Sequence, residues 1–92
     1  MLTLHKRTAQ ENEMADRTLS AIAIEVKKDW KNINFAARPY LAAMSVMDRV
    51  SDKFGLDDGE GIVLYFLANA GTWRGETAKR IKAELNAMLK RR

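Results

Sequence analysis

The sequence contains no cysteine and only one histidine, and both scarcities exclude classes of chemistry. Without cysteine the chain forms no disulfide, no thiolate zinc site and no cysteine nucleophile. The one histidine, His5, has no second histidine with which to bind a metal ion or share a catalytic proton. Because disulfides mark oxidising compartments, a chain without cysteine fits the cytoplasm, and we expect a cytoplasmic protein.

Long hydrophobic runs are also missing. The longest run of large apolar residues, from Ile62 to Leu67, has six, whereas a membrane-spanning helix needs about 20 apolar residues. The N-terminal residues include basic side chains, but no apolar segment follows them, so the sequence predicts no secretory signal. We therefore expect no membrane partner and no secretion.

The acidic and glycine-rich segments lack the spacing of known catalytic or cofactor sites. Asp57, Asp58 and Glu60 do not supply the alternating oxygen ligands of a calcium-binding loop, so we interpret them as helix-capping residues. The nearby glycines lack the spacing of a phosphate-binding loop and its following Lys-Ser/Thr. The sequence thus predicts no catalytic residue, cofactor, metal ion or small-molecule substrate, and a protein that is not an enzyme.

What the chain does have is a modest basic excess within one domain's length. Its 92 residues include 16 Lys+Arg and 12 Asp+Glu, for a net charge of +4. A chain of this length buries one modest core. A basic surface attracts nucleic acid, acidic proteins or anionic surfaces, so the charge alone leaves the partner open.

Apolar spacing and capping residues predict four helices. Apolar side chains recur every three or four residues from Ala15 to Ala37, as on one face of a helix. Pro39 suits a first helical turn, Gly55 a helix end, and Thr72 an N-cap. The predicted helices are, in chain order, about 12–33, 39–54, 58–70 and 73–89.

The apolar run at the third helix fits a buried strand or a buried helix by pattern alone. Branched and aromatic residues between flanking glycines favour the strand. Asp57 and Glu60 resemble a capping box, and no other segment alternates to provide a pairing strand, so we favour the helix. Because its apolar side chains cover every side, we expect this helix to lie at the centre, enclosed by the others.

We therefore predict an all-α domain, a compact orthogonal or antiparallel bundle of four helices. Residues 1–11 are expected to form a flexible N-terminal segment, and 12–92 a single helical domain. Arg74 falls on the apolar side of the fourth helix, where it needs either exposure or a structural ion pair with a carboxylate such as Glu60. The predicted core comprises Leu19, Ile22, Val26, Trp30, Ile33, Met47, Val50, Phe54, Val63, Phe66, Leu67, Ile81 and Leu85.

The turn Ala70-Gly71-Thr72 resembles the short turn of a helix-turn-helix motif. In that arrangement the fourth helix contacts a nucleic-acid groove or its phosphates. Leu67 argues against it, because the motif favours a small residue there, and a simply solvated basic face is the other interpretation. The candidate contacts to nucleic acid or another anionic partner are Lys79, Lys82, Asn86, Lys90, Arg91 and Arg92.

Two stretches carry a resemblance. YFLANAGTWRGETAKRIKAEL, from Tyr65 to Leu85, and DWKNINFAARPYLAAM, from Asp29 to Met44, resemble short uncharacterised helical proteins of bacteria and their phages or integrated elements. The resemblance implies a bacterial, phage-related origin and no particular mechanism.

For function, we predict a small non-enzymatic binding or adaptor protein whose partner is another protein or a second copy. The alternative is a nucleic-acid-binding regulator that uses the fourth helix. A patch joining the lysines at 27, 28 and 31 to those of the fourth helix would favour the alternative, and intervening acidic residues would count against it. The candidate exposed apolar contacts are Leu2, Leu4, Ile24 and Leu41.

Overall fold

The structure is a computed structural model that describes residues 17–54 and 57–91. These residues form four α-helices, and the predicted all-α bundle of four helices is confirmed. A 3₁₀ turn, η1 (Phe35–Ala37), precedes the second helix, and a two-residue antiparallel ladder pairs β1 (Lys53–Phe54) with β2 (Asp57–Asp58). The helices are α1 (Leu19–Asp29), α2 (Arg38–Met44), α3 (Gly59–Ala68) and α4 (Glu76–Arg91).

A side-chain cap at one end and extended backbone at the other make α1 shorter than the predicted range of 12–33. Thr18 has extended backbone, and its hydroxyl accepts a hydrogen bond from the amide of Ala21 at 3.0 Å, so the helix begins after it. Trp30 is extended as well and ends the helix. Asn34 then accepts a hydrogen bond from the amide of Ala36 at 3.1 Å and starts η1 instead.

The second helix is much shorter than the predicted 39–54. It has seven residues, and the chain then turns, because the Asp52 carboxylate accepts hydrogen bonds from the amides of Asp48 and Arg49 at 3.1 and 3.0 Å. Those two bonds, the Arg49 amide first, hold the pKa of Asp52 below its usual range. The turn still directs Met47 into the core, which explains why the apolar spacing continued past the true helix end.

The start of α3 is fixed by Asp58 and Gly59. Asp58, rather than the expected Asp57, caps the helix, since its carboxylate accepts a hydrogen bond from the Gly61 amide at 2.8 Å. A Cβ on Gly59 would lie 2.5 Å from the carbonyl oxygen of Val50. Only glycine therefore fits where α3 meets the preceding turn, and the helix rather than the strand is confirmed for the apolar run.

The fourth helix begins three residues after the predicted start, at Glu76. Trp73 instead lies in a turn, with its amide donating to the Ala70 carbonyl at 3.1 Å. Gly75 has a φ of +113°, a backbone conformation that side chains other than glycine rarely adopt. This glycine separates the turn from the helix, so Thr72 is not the cap. Within the described ranges, no helix is both long and apolar enough to cross a membrane.

Three aromatic rings join α1, α3 and the segment before α4. Trp30 stacks on Trp73 with ring centroids 5.7 Å apart and planes 11° apart. Phe66 meets Trp30 edge-on at 6.2 Å and Trp73 at 6.4 Å. Such aromatic contacts add about 0.5–1.5 kcal/mol each beyond area burial. The cluster holds the middle of the core.

Most of the predicted core is buried. The exceptions are Ile33, Val50 and Leu67, which are only partly buried, and the side chain of Phe54, which lies outside the described part. The core also contains large side chains that the prediction left out, namely Leu41, Met44, Ile62, Trp73, Met88 and Leu89.

The third helix is covered on one side only. Ile62, Val63 and Phe66 face the core, while Leu64 and Tyr65 project outward with 50% and 58% of their surface exposed. The expectation that the other helices enclose α3 on every side is therefore not met.

Candidate functional site

The predicted contacts on α4 lie on its outward side. Lys79, Asn86 and Lys90 are exposed and Lys82 is half-buried, and at about 100° per residue the four form one stripe. We call these four residues the basic stripe. The remaining predicted contacts, the Arg91 side chain and Arg92, lie outside the described part.

Two members of the basic stripe make contacts within the protein. The Lys82 ammonium donates to the carbonyl oxygen of Trp73 at 2.7 Å and lies 5.9 Å from the centre of its ring. The Asn86 amide donates to the Lys82 carbonyl at 2.9 Å. A cation over an aromatic face is attracted by the ring, so Lys82 stabilises the turn before α4. Lys79 and Lys90 are left as the outward cations of the stripe.

An ion-pair network joins α1 to α4. Arg17 donates to both carboxylate oxygens of Glu84, at 2.7 and 3.0 Å, and to Glu25 at 2.8 Å. Glu25 also pairs with Arg80. Hydrogen bonds from Arg80 and then Arg17 hold the pKa of Glu25 below its usual range, and the bond to Glu84 chiefly raises the pKa of Arg17.

Acidic side chains separate the lysines of α1 from the basic stripe. Glu25 and Asp29 lie one turn apart on the side of α1 that faces α4, where Asp29 accepts a hydrogen bond from the Trp73 indole at 2.8 Å. Lys27 and Lys28 are exposed on other sides of the helix. Acidic residues between the two groups of lysines count against one continuous nucleic-acid surface.

The link between α3 and α4 differs from a helix-turn-helix. Seven residues, 69–75, separate the two helices, whereas that motif has a turn of about three or four. The prediction of a short turn at Ala70-Gly71-Thr72 is therefore wrong. The link is longer than predicted because α3 ends two residues before its predicted end, at an Asn69 cap, and because Gly75 delays the start of α4.

The other predicted residues have mixed outcomes. Ile24 is 57% exposed, as predicted, but Leu41 is only 2% exposed and belongs to the core. Leu2 and Leu4 lie outside the described residues. Arg74 is exposed, and the ion pairs between described residues do not join it to Glu60.

Several exposed apolar side chains lie along α3 and η1. Tyr65 stacks on Tyr40 of α2 with ring centroids 5.4 Å apart. Leu64 lies beside Tyr65, and Phe35 of η1 is 86% exposed. We call Phe35, Tyr40, Leu64 and Tyr65 the aromatic face. None of the four is charged, and aromatic residues are enriched at protein interfaces.

Local polar contacts hold this face in place. The Asn34 side chain donates to the carbonyl oxygen of Asn69 at 2.9 Å and fixes the start of η1 against the end of α3. The Asn69 side chain donates in turn to the Tyr65 carbonyl at 2.8 Å. Phe35 follows Asn34 directly, so η1 begins where the chain is tied to the end of α3. The sequence indicated an apolar helix here but not which side would stay uncovered.

The described residues include no histidine and no cysteine. No group of three or more His, Asp or Glu side chains among them is placed to hold a metal ion. Comparisons of the chain with protein-family models, with curated proteins and with solved structures find no match.

Proposed function

We propose that this chain is a small non-enzymatic binding protein and that its aromatic face contacts a protein partner. One observation carries the proposal: Phe35, Leu64 and Tyr65 are 86%, 50% and 58% exposed, and the Asn34 side chain ties the start of η1 to the end of α3. Nothing in that group competes for a catalytic role. We also expect a cytoplasmic location, and a bacterial or phage origin follows from the resemblance alone.

The exposed area of the face is comparable with the largest apolar patch of an ordinary monomer. An aromatic side chain buries roughly 150–250 Å² when covered, so Phe35 at 86% and Tyr65 at 58% exposure present roughly 200–350 Å² together. Leu64 adds to this area. The largest apolar patch on a typical monomer is about 300–600 Å² and is often functional. A partner that covers these side chains would remove the same apolar area from water, which favours binding.

Affinity capture with matched baits tests the proposal. The wild-type chain, the Phe35→Ser/Tyr65→Ser variant and the Lys79→Ala/Lys90→Ala variant are immobilised and exposed to an extract of the cells that encode the protein. We expect at least one protein to be enriched on the wild type and the lysine variant but lost on the aromatic-face variant. Equal capture by all three baits, or loss only with the lysine variant, would contradict the proposal. Circular dichroism checks that each bait is folded.

A nucleic-acid-binding regulator is the second candidate, and the exposed Lys79 and Lys90 on one side of α4 favour it. Phosphate contacts must weaken steeply as salt rises. Fluorescence anisotropy with labelled duplex DNA and with RNA, at low and near-physiological salt, tests it. Binding with that salt dependence, lost in the Lys79→Ala/Lys90→Ala variant, would favour this candidate, and no binding even at low salt would remove it.

A further inference from the structure

We infer that residues 1–7 of the chain itself cover the outward side of α3 and compete with the protein partner for it. This inference rests on the proposed function, since it names how access to the same surface is regulated. Residues 1–16 lie outside the described part of the structure, but their sequence is known, and they join the described part at Arg17. The chemistry of the α3 surface, the charge beside it and the place of that junction support this occupant.

The outward side of α3 is apolar. Gly61, Leu64, Tyr65 and Ala68 lie within about 100° of one another around the helix, and none of them is charged. Leu64 and Tyr65 are 50% and 58% exposed. On α1 and α4, in contrast, the exposed residues include several lysines. An occupant that contributes apolar side chains to the α3 surface therefore removes apolar area from water on both sides of the contact.

The chain that leads into α3 is acidic. Residues 48–60, which we call the acidic turn, carry a net charge of −3 within a chain of net charge +4. Their charged residues, five acidic and two basic, are Asp48, Arg49, Asp52, Lys53, Asp57, Asp58 and Glu60. The exposed Asp58 caps α3 and lies roughly 9 Å along the helix axis from Leu64. The complementary occupant carries positive charge next to an apolar group.

The junction lies beside the acidic turn. The Leu19 amide, at the start of α1, donates to the Asp48 carbonyl at 3.0 Å. The Asp52 carboxylate accepts from the Asp48 amide at 3.1 Å, and the Asp52 carbonyl accepts from the Gly59 amide at 2.7 Å. Three hydrogen bonds therefore connect the start of α1 with the start of α3. About ten residues separate Arg7 from the start of α1, and ten residues span up to about 33–36 Å, so Arg7 can reach the acidic turn.

The N-terminal sequence MLTLHKR has the matching order of side chains. Leu2 and Leu4 are two residues apart, and residues two apart point to the same side of an extended segment. Lys6 and Arg7 follow them, and the first acidic residue of the chain is Glu11. With its two cations beside the acidic turn, such a segment places its two leucines along the outward side of α3.

A contact within one chain needs little surface. A short linker holds two tethered groups at an effective concentration in the mM range. A segment that binds with a Kd of about 1 mM then covers the α3 surface for about half of the time. Covering Leu2 and Leu4 and pairing two exposed cations supplies an affinity of that order.

Paramagnetic broadening in the ¹⁵N-labelled full-length chain tests the inference. The chain has no cysteine, so the Thr3→Cys variant takes a nitroxide label at one position, and the label broadens the amide signals close to it. We expect the amides of Leu64, Tyr65 and Ala68 to lose about half of their intensity or more relative to the reduced label, because the surface is covered for about half of the time. The signals of the other described residues check that each variant is folded.

A matched pair of charge variants tests the role of the acidic turn. Lys6→Glu/Arg7→Glu and Lys79→Glu/Lys90→Glu, each made in the labelled chain, change the net charge equally. The first should restore the intensity of the α3 amides, and the second should not. High salt should also restore the intensity in the labelled chain without charge changes, because it screens exposed charges.

Three results would overturn the inference. They are the absence of broadening at the α3 amides, broadening that survives Lys6→Glu/Arg7→Glu, and broadening confined to Val46. Val46 follows α2 and is 71% exposed, which makes it the competing apolar site near the junction. Broadening of ¹⁵N-labelled chains by spin-labelled copies without ¹⁵N would replace the contact within one chain with a contact between two copies.

Affinity for the captured protein separates this inference from the proposed function. Leu2→Ser/Leu4→Ser should raise that affinity about twofold, because the surface is then available all of the time instead of half. Successful capture with an unchanged affinity would overturn the regulation and leave the proposed function intact. Broadening of the α3 amides without any captured protein would leave the contact within the chain and contradict the proposed function.

Discussion

The basic stripe of α4 and the aromatic face beside α3 are both outward surfaces, but the rest of the chain uses them differently. Lys82 of the stripe bonds to the Trp73 carbonyl, and the flank between α1 and α4 is occupied by ion pairs. On the aromatic face, Phe35 and Tyr65 keep most of their surface exposed. The position of a residue on a helix therefore identifies it as outward-facing, whereas the contacts of its side chain show whether it is available to a partner.

The largest expected effect contrasts the two sides of α3. Phe66→Ala removes a fully buried ring between two tryptophans and should lower the free energy of unfolding by about 3–5 kcal/mol. Tyr65→Ala, one residue earlier, loses only an exposed stack on Tyr40 and should cost about 1 kcal/mol. Urea unfolding of both variants measures the difference. Similar losses of unfolding free energy in the two variants would mean that both sides of α3 contribute equally to the stability of the fold.

The next effect contrasts Gly59, at the start of α3, with Gly71, in the link that follows the helix. A methyl group on Gly59 meets the Val50 backbone, so Gly59→Ala should cost about 1–3 kcal/mol through overpacking. No atom lies within 4 Å of the corresponding position on Gly71, which makes Gly71→Ala the matched control, with an expected change between zero and a gain of about 1 kcal/mol. Thermal unfolding of both variants is the measurement. An unchanged midpoint for Gly59→Ala would show that the turn before α3 is not packed as described.

A smaller effect separates two lysines of the basic stripe. Lys82→Ala removes a hydrogen bond and a cation–ring contact and should lower the free energy of unfolding by about 1 kcal/mol. Lys79→Ala, on the exposed side, should change it by less than about 0.5 kcal/mol. Chemical denaturation distinguishes them. If the two variants were equally stable, Lys82 would be as available to a partner as Lys79.

The smallest effect concerns the pH dependence of stability that comes from the ion pairs between α1 and α4. The pKa of Glu25 is lower in the folded chain than its ordinary value of about 4.5, so its ion pairs stabilise the fold above that value. This contribution is lost as the pH falls through the folded-state pKa. Glu25→Gln should therefore flatten part of the decline in melting temperature as the pH falls below about 4.5, whereas Glu76→Gln, exposed and outside the network, should not. Identical pH profiles for wild type and Glu25→Gln would contradict the role of the network.

The sequence predicted the class of fold but not where several elements end. Apolar spacing identified the core-facing side of α1 and α4 because it repeats with the helical period. The same spacing continued beyond α2, since Met47 reaches the core from a turn that the Asp52 carboxylate holds together. Contacts of this kind depend on side-chain hydrogen bonds that compete with helix formation, and periodicity does not report them.

The candidate site was harder to predict for a related reason. The positions of Lys79, Asn86 and Lys90 on one stripe followed from helix geometry alone, but the bond between Lys82 and Trp73 depends on a turn whose shape Gly75 sets. The uniformly apolar run of α3 gave no indication that Leu64 and Tyr65 would remain uncovered.

The most direct test of the central claim is amide chemical-shift mapping of the ¹⁵N-labelled chain with the captured protein. If the aromatic face is the binding surface, the largest shifts will fall at Phe35, Tyr40, Leu64 and Tyr65, with little change along the basic stripe. Shifts confined to Lys79, Asn86 and Lys90 would contradict this account and transfer the binding role to α4.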